Sequence, residues 1–320
     1  MKYTISQFRK EFPNEDACLD RIFALRYSHQ PCCPQCSQET TFKRIPDRRC
    51  YQCSDPHCQY QLYPTAGTIF EKTRTPLVDW FYAIYLMTST RNGVSAKELQ
   101  RQLGVTYKTA FRMGHQIRKL MDTSSQGAIM SGIIEADETF IGGNPKNKHA
   151  KRKNKFNRYG RRDFDPVVAL VERDGKVVTK VVEDTKAFTM FPIFMENVSI
   201  KESILITDAN NSYKFIGKQF KEHHSIKHQT DNYITDGFKH TNSVEGFFSH
   251  LKRTIKGTHI AVSRKYLTAY ANECAFRYTY RKQGQGMFYT ILSQISWEDL
   301  KPFSEAQKSP LGELDFLMKD

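Results

Sequence analysis

The chain has 320 residues, 39% of them hydrophobic, which is enough to build real cores in two or three domains. A formal net charge of +14 and a pI near 9.3 imply an anionic partner, and aromatic residues at 12%, interleaved with basic ones, favour nucleic acid over a bare membrane surface. No apolar run reaches the length of a membrane span and Met1 to Phe12 lacks the apolar core of a signal peptide, so the expected location is intracellular, cytoplasmic or nucleoid-associated.

Residues 1–28 read as a helical lead-in, with Phe8, Phe12, Cys18, Leu19, Ile22, Phe23 and Leu25 forming one apolar stripe. Cys18 lies in that stripe and is expected to be a buried thiol. Seven of the eight cysteines fall between Cys18 and Cys58. In a reducing compartment that spacing reads as metal binding before disulfides. Residues 29–70 are expected to form a zinc ribbon, because two cysteine knuckles each present thiolates from one side of a turn. The expected ligands of a structural Zn2+ are Cys33, Cys36, Cys53 and Cys58. Cys50 with Cys53 is the alternative second pair, and His57 could replace one thiolate. Arg44, Arg48 and Arg49, between the knuckles, are either phosphate contacts or solvated loop charges.

Residues 71–124 carry helical spacing at Trp80, Phe81, Ile84, Tyr85 and Met87, then two further helices joined by a tight turn at Gly104. Ser95 with Glu98 reads as a capping box and Thr106 as the second cap. This is the pattern of a helix-turn-helix. Its second helix, Thr106 to Met121, would expose Tyr107, Lys108, Arg112, Gln116 and Lys119 toward a DNA major groove. A polar break at Asp122 to Gln126 marks a domain boundary.

In residues 125–282 the periodicity changes to strands. Ile133 to Ile141 is one strand, and Val167 to Glu172 with Val177 to Val182 is a hairpin turning at Asp174-Gly175. Phe188 to Val198 is a crossover helix feeding an apolar strand from Ser203 that ends near Asp208. Together these predict a mixed α/β sheet. Ile133, Glu135 and Asp137 alternate and so share one sheet face, while Asp208 stands at the carboxyl end of its strand, where open α/β sheets keep their chemistry. If the two strands are neighbours, Asp137 and Asp208 face each other. The dense basic run Lys146 to Arg162, including Lys151, Arg152 and Lys153, is either a solvated or disordered insert or a loop that tracks a phosphodiester backbone.

His240 to His259 reads as an amphipathic helix with an apolar stripe of Val244, Phe247, Phe248, Leu251 and Ile255, started by Thr241 or Asn242 and ended by Gly257. Asn242, Glu245, Ser249 and Lys252 fall on its adjoining polar face. With Asp137 and Asp208, Glu245 completes a set of carboxylates whose mutual repulsion calls for a cation.

Five segments carry a family resemblance. They are Cys33-Pro-Gln-Cys36, Ala66-Gly-Thr-Ile-Phe-Glu-Lys-Thr73, Glu135-Ala-Asp-Glu-Thr-Phe-Ile-Gly-Gly143, Thr207-Asp-Ala-Asn210, and His240-Thr-Asn-Ser-Val-Glu-Gly-Phe-Phe-Ser-His-Leu-Lys-Arg253. In this order they resemble the insertion-sequence transposases with an N-terminal zinc ribbon and an ISXO2-like DDE domain, over most of the chain from Cys18 to about Arg281. The resemblance implies a multidomain α+β protein whose catalytic domain is ribonuclease-H-like, a Mg2+ or Mn2+ site, and cleavage and joining of DNA strands at the ends of a mobile element. It also implies at least a dimer on DNA. Carried over, Asp137 and Asp208 match the first two acids and Lys252 the basic residue of the last motif. Glu245 ranks first as third acid, with Asn242 as co-ligand or substitute. Glu273, Phe276, Arg277 and Arg281 resemble the closing helix, with Thr279 where asparagine is expected. Other functions compatible with the sequence are an idle DNA-binding regulator and a structure-selective nuclease without joining. Residues 283–320 read as a tail without functional signal.

Overall fold

Caps written into the sequence start the first helices. Thr4 accepts the Gln7 N–H and Gln7 accepts the Thr4 N–H in return, opening α1 (Ile5–Glu11), and Asn14 accepts the Ala17 N–H to open α2 (Glu15–Tyr27). The structure, a computed structural model, describes residues 3–28, 32–122, 129–142, 164–226, 240–282 and 286–295. These divide into two compact units, one of residues 3–89, 96–120 and 286–295, the other of residues 90–95 and the described part of 121–282.

In the first unit, β1 (Phe42–Arg44), β2 (Tyr51–Cys53) and β3 (Gln61–Leu62) form an antiparallel sheet in that order. Phe23 of α2 stacks on Tyr51 at 4.1 Å between ring centroids. Arg44 pairs with Asp16 at 2.7 Å, and Arg49 pairs with Glu15 at 2.5 Å while donating to the Thr73 carbonyl. These two arginines are engaged within the unit, and of the three expected at the loop Arg48 is exposed. Cys18 is fully buried, and burial pushes its thiol up to about 12. Helices α3 (Leu77–Ser89), α4 (Ala96–Leu103) and α5 (Tyr107–Lys119) follow. Gly104 takes φ +66 in the turn between the last two, a conformation open to glycine. Thr106 caps α5 by accepting the Thr109 N–H. The segment read as a signal-free tail contributes a helix, Gly286–Ser293, whose Phe288 is buried against Tyr3, Phe8 and Phe12.

The second unit is built on a five-stranded sheet of β4 (Met130–Ile141), β5 (Asp165–Glu172), β6 (Val177–Val181), β7 (Val198–Asp208) and β8 (Glu222–Ile226), in the order β6-β5-β4-β7-β8. The first three strands are an antiparallel meander, turned at Asp174 with φ 60. Strand β7 runs parallel to β4, reached through α6 (Ala187–Asn197), and β8 parallel to β7, reached through α7 (Asn211–Gly217). Strand β7 starts earlier than the hydrophobic run indicates, at Val198, with a register shift opposite Met130 to Gly132. Residues Ile134, Ala136, Leu170 and Leu205 face α6 and α7, packing on Met190, Phe194, Tyr213 and Ile216. The opposite face, with Val167, Ala169 and Val171, lies under α8 (Asn242–Thr254) and α9 (Arg264–Thr279) through Val244, Phe247, Leu251, Leu267 and Ala271. Thr279, where the family expects asparagine, accepts the Val177 N–H at 3.0 Å. Among the described residues no helix is long and apolar enough to cross a membrane.

Candidate active site and metal centre

Four cysteines converge in the first unit. The Sγ atoms of Cys33, Cys36, Cys53 and Cys58 lie within 4.8 Å of one another, with Cys33 to Cys58 at 3.7 Å and Cys36 to Cys53 at 3.9 Å. A tetrahedral zinc with bonds of about 2.3 Å spaces its sulfurs at about 3.8 Å, so the four thiols fit that ion. Strand β2 brings Cys53 opposite Phe42. Cys50, the alternative ligand, is buried elsewhere with its thiol toward Gln61, and Cys32 is exposed.

The second unit gathers carboxylates at one end of the sheet. Alternation along β4 puts Ile134 and Ala136 on the α6 face, and so Glu135 and Asp137 on the α8 face. In β7, Leu205 faces α6, which sets Asp208 on the α8 face with Asp137. The two strands are hydrogen-bonded neighbours, with Ala136 opposite Thr207, so the next residue of each is Asp137 and Asp208. The Asp208 carboxylate accepts the Asn210 N–H at 3.0 Å, and the Asp137 carboxylate accepts the Glu138 N–H at 2.8 Å. Glu245 projects from the first turn of α8, where its carboxylate accepts a bond from the Thr241 hydroxyl at 2.8 Å. Asn242 and Lys252 are exposed on the same helix, one turn before and two turns after Glu245. Burial first, and then the charges of Glu138, Asp208 and Glu245, raise the Asp137 carboxyl from 3.8 to about 7, while the Glu138 N–H opposes the rise. The structure thus brings Asp137, Asp208 and Glu245 into one electrostatic cluster. Hard oxygen donors gathered around a carboxyl that resists ionisation, Asp137, are a fitting set for a divalent cation.

Two acids not assigned a role by the sequence complete the arrangement. Glu138 faces α7, accepting the Asn210 side chain at 3.0 Å and the Tyr213 hydroxyl at 2.5 Å. Asn210 thereby links Glu138 to Asp208. Glu135 is fully buried and acts as the acceptor for the start of α8, taking the Ser243 N–H at 2.7 Å, the Val244 N–H at 3.1 Å and the Ser243 hydroxyl at 2.9 Å. Arg173 balances its charge at 2.7 Å and His240 lies 3.5 Å away. The helix cap therefore comes from the sheet. Thr241 is the N-cap by position, but its hydroxyl turns to Glu245. Its parity with Asp137 was the available signal for Glu135, since an acid inside a central strand must find partners.

On α5, Lys108, Arg112 and Lys119 are exposed and Gln116 is half-buried. Lys151, Arg152 and Lys153 lie outside the described residues.

Replacing Glu135 by Ala removes the helix cap and the carboxylate that balances Arg173, and is expected to cost about 3–5 kcal/mol in urea unfolding. For Asp137, a folded value near 7 against 3.8 unfolded means a stabilising contribution present below about pH 4 and lost as pH rises through 7. Melting curves in magnesium-free buffer at pH 8 should therefore place Asp137→Asn above the native chain, and added magnesium should raise only the native chain.

Two family models match the chain. An ISXO2-like transposase domain covers residues 129–279, the sheet and helices that carry the carboxylates, and a transposase zinc-ribbon domain covers residues 13–61, including all four clustered cysteines. A protein of Halobacterium salinarum, described as an uncharacterized protein in transposable element ISH50, is 24% identical over 295 residues, spanning 88% of this chain and 97% of that relative. With the zinc-ribbon match preceding the transposase-domain match, as the sequence motifs are ordered, the chain carries a transposase zinc ribbon followed by an ISXO2-like transposase domain.

Proposed function

We propose that this transposase binds the terminal repeats of its element and cuts and joins DNA strands there with a ribonuclease-H-like DDE domain. The observation that carries the reading is the carboxylate cluster on a sheet of order β6-β5-β4-β7-β8, inside the region matching the transposase domain. Asp137, Asp208 and Glu245 would hold Mg2+ or Mn2+, with Asn242 as co-ligand. Such ions, when bound, activate an attacking oxygen and stabilise the leaving one. Water attack frees a 3′-hydroxyl at the element end, and that hydroxyl attacks target DNA. Lys252, exposed two turns beyond Glu245, positions a phosphate by charge. Glu138 and Asn210 hold the Asp208 carboxylate in place, and Glu135 holds the helix of Glu245.

Recognition of the ends falls to α4 and α5 acting as a helix-turn-helix, with Lys108, Arg112, Gln116 and Lys119 toward the groove and phosphates. The basic run with Lys151, Arg152 and Lys153 adds backbone contacts. Zinc held by the four cysteines supplies folding free energy to a segment too small to bury much apolar surface. Two ends must meet, so the working form is a dimer or larger assembly on DNA.

With a labelled element end and magnesium, Asp137→Asn and Asp208→Asn should abolish cutting and leave end binding nearly intact. Normal cutting by both overturns the assignment, and cut ends that never join a supplied target plasmid mark a nuclease instead. Metal analysis should find zinc in the native chain, and Cys36→Ser should lose it together with end binding.

A further inference from the structure

The helix of Glu245 and Lys252 does not stop at Thr254. It widens into a π-helical turn over Ile255–His259, passing through Gly257, where the sequence predicts its end. The reversal falls on Ile260, with φ 65 and ψ −55, where the Ala261 N–H donates to the His259 carbonyl at 2.7 Å. This is a γ-turn centred on a branched side chain, a strained and rare conformation. Ile260 is 83% exposed, so burial does not offset the strain.

The flanks hold the turn in place. Ile255 is buried, the Thr258 hydroxyl donates to the Asn92 carbonyl at 3.1 Å, and the His259 ring meets the Tyr270 ring edge-on at 4.5 Å. Strain of this kind persists where surrounding structure fixes it, and such residues gather at ligand clamps. The charge along this stretch of chain has one sign, and the acid that meets it, Asp165 of β5, is paired with Arg264 at 2.8 Å. Residues 246–272 contain no Asp or Glu, and Lys252, Arg253, Lys256 and Lys265 are exposed.

We propose that Ile260 is a wedge for duplex DNA, entering a base step and unstacking it while the surrounding cations hold phosphates on either side. An anionic backbone enclosing an apolar base stack is the partner that matches both the cationic surface and its aliphatic tip. The proposal rests on the function proposed above. From Glu245 to Ile260 the helix rises roughly 20 Å, the length of about six base pairs. The wedge therefore meets the duplex about six base pairs from the bond that is cut, when the DNA runs along the helix.

The test uses the full chain and duplexes of the DNA flanking its coding sequence, with 2-aminopurine placed singly along the end. The native chain should raise the fluorescence at one step. Ile260→Ala and Ile260→Gly should abolish that signal and cut about tenfold more slowly, with the melting temperature unchanged or raised by relief of strain. Ile260→Leu should keep the signal, and a mismatch built into that step should restore cutting by Ile260→Ala. A native chain that unstacks the step but never cuts leaves the wedge standing and overturns the proposed function. A signal and cutting rate unchanged in Ile260→Gly, or no signal at any step with the native chain, overturns the wedge.

Discussion

A single buried carboxylate joins the two elements that bring the acids together. Glu135 sits in the middle of β4, two residues before Asp137, and accepts the first backbone N–H groups of the helix that bears Glu245. A charge inside a central strand is costly unless it is paired, and here Arg173 and the positive end of a helix pair it. The spacing between Asp137 and Glu245 is thereby set by hydrogen bonds and does not rest on loose packing alone. Below the cap, Val244, Phe247 and Leu251 close the apolar face of the helix on Val167, Ala169 and Val171, which fixes its rotation and turns Glu245 and Lys252 outward along one line.

The site consists of like charges under compression. Parity puts Asp137 and Asp208 on one face of adjacent strands, and the sheet end gives them few protein donors beyond the Glu138 and Asn210 N–H groups. The cost is visible at Asp137, which burial and its acidic neighbours hold near neutrality in its proton affinity. Glu138, Tyr213 and Asn210 form a second line of support behind Asp208 from the opposite face of the sheet. The cysteine cluster is the other convergence of donors, four sulfurs lying within 4.8 Å of one another, a spacing that suits a tetrahedral ion.

Much of this was legible in the sequence because it rests on periodicity and short-range chemistry. The knuckle spacing singled out Cys33, Cys36, Cys53 and Cys58, alternation set the face of Asp137, and the Asp174-Gly175 turn marked the β5–β6 hairpin. What was hidden depends on long-range pairing. Nothing local shows that Glu135 caps a helix more than 100 residues later, or that Arg44 and Arg49 pair with Asp16 and Glu15 instead of facing phosphates. The short strand Glu222–Ile226 and the helix Asn211–Gly217 lack clear periodicity, being stabilised by the sheet edge and by Tyr213 and Ile216. Gly257 looked like a helix stop, yet anchored neighbours carry the chain past it to Ile260.

The domain matches, the sheet and the carboxylate cluster meet in the proposed function, in which β4, β7 and α8 would hold hard cations beside a phosphodiester. The most direct measurement is anomalous scattering from crystals of the full chain grown with manganese. Manganese peaks bounded by the carboxylates of Asp137, Asp208 and Glu245, separate from a zinc peak at the four cysteines, are the expected result. A zinc peak with no manganese at those three carboxylates contradicts it.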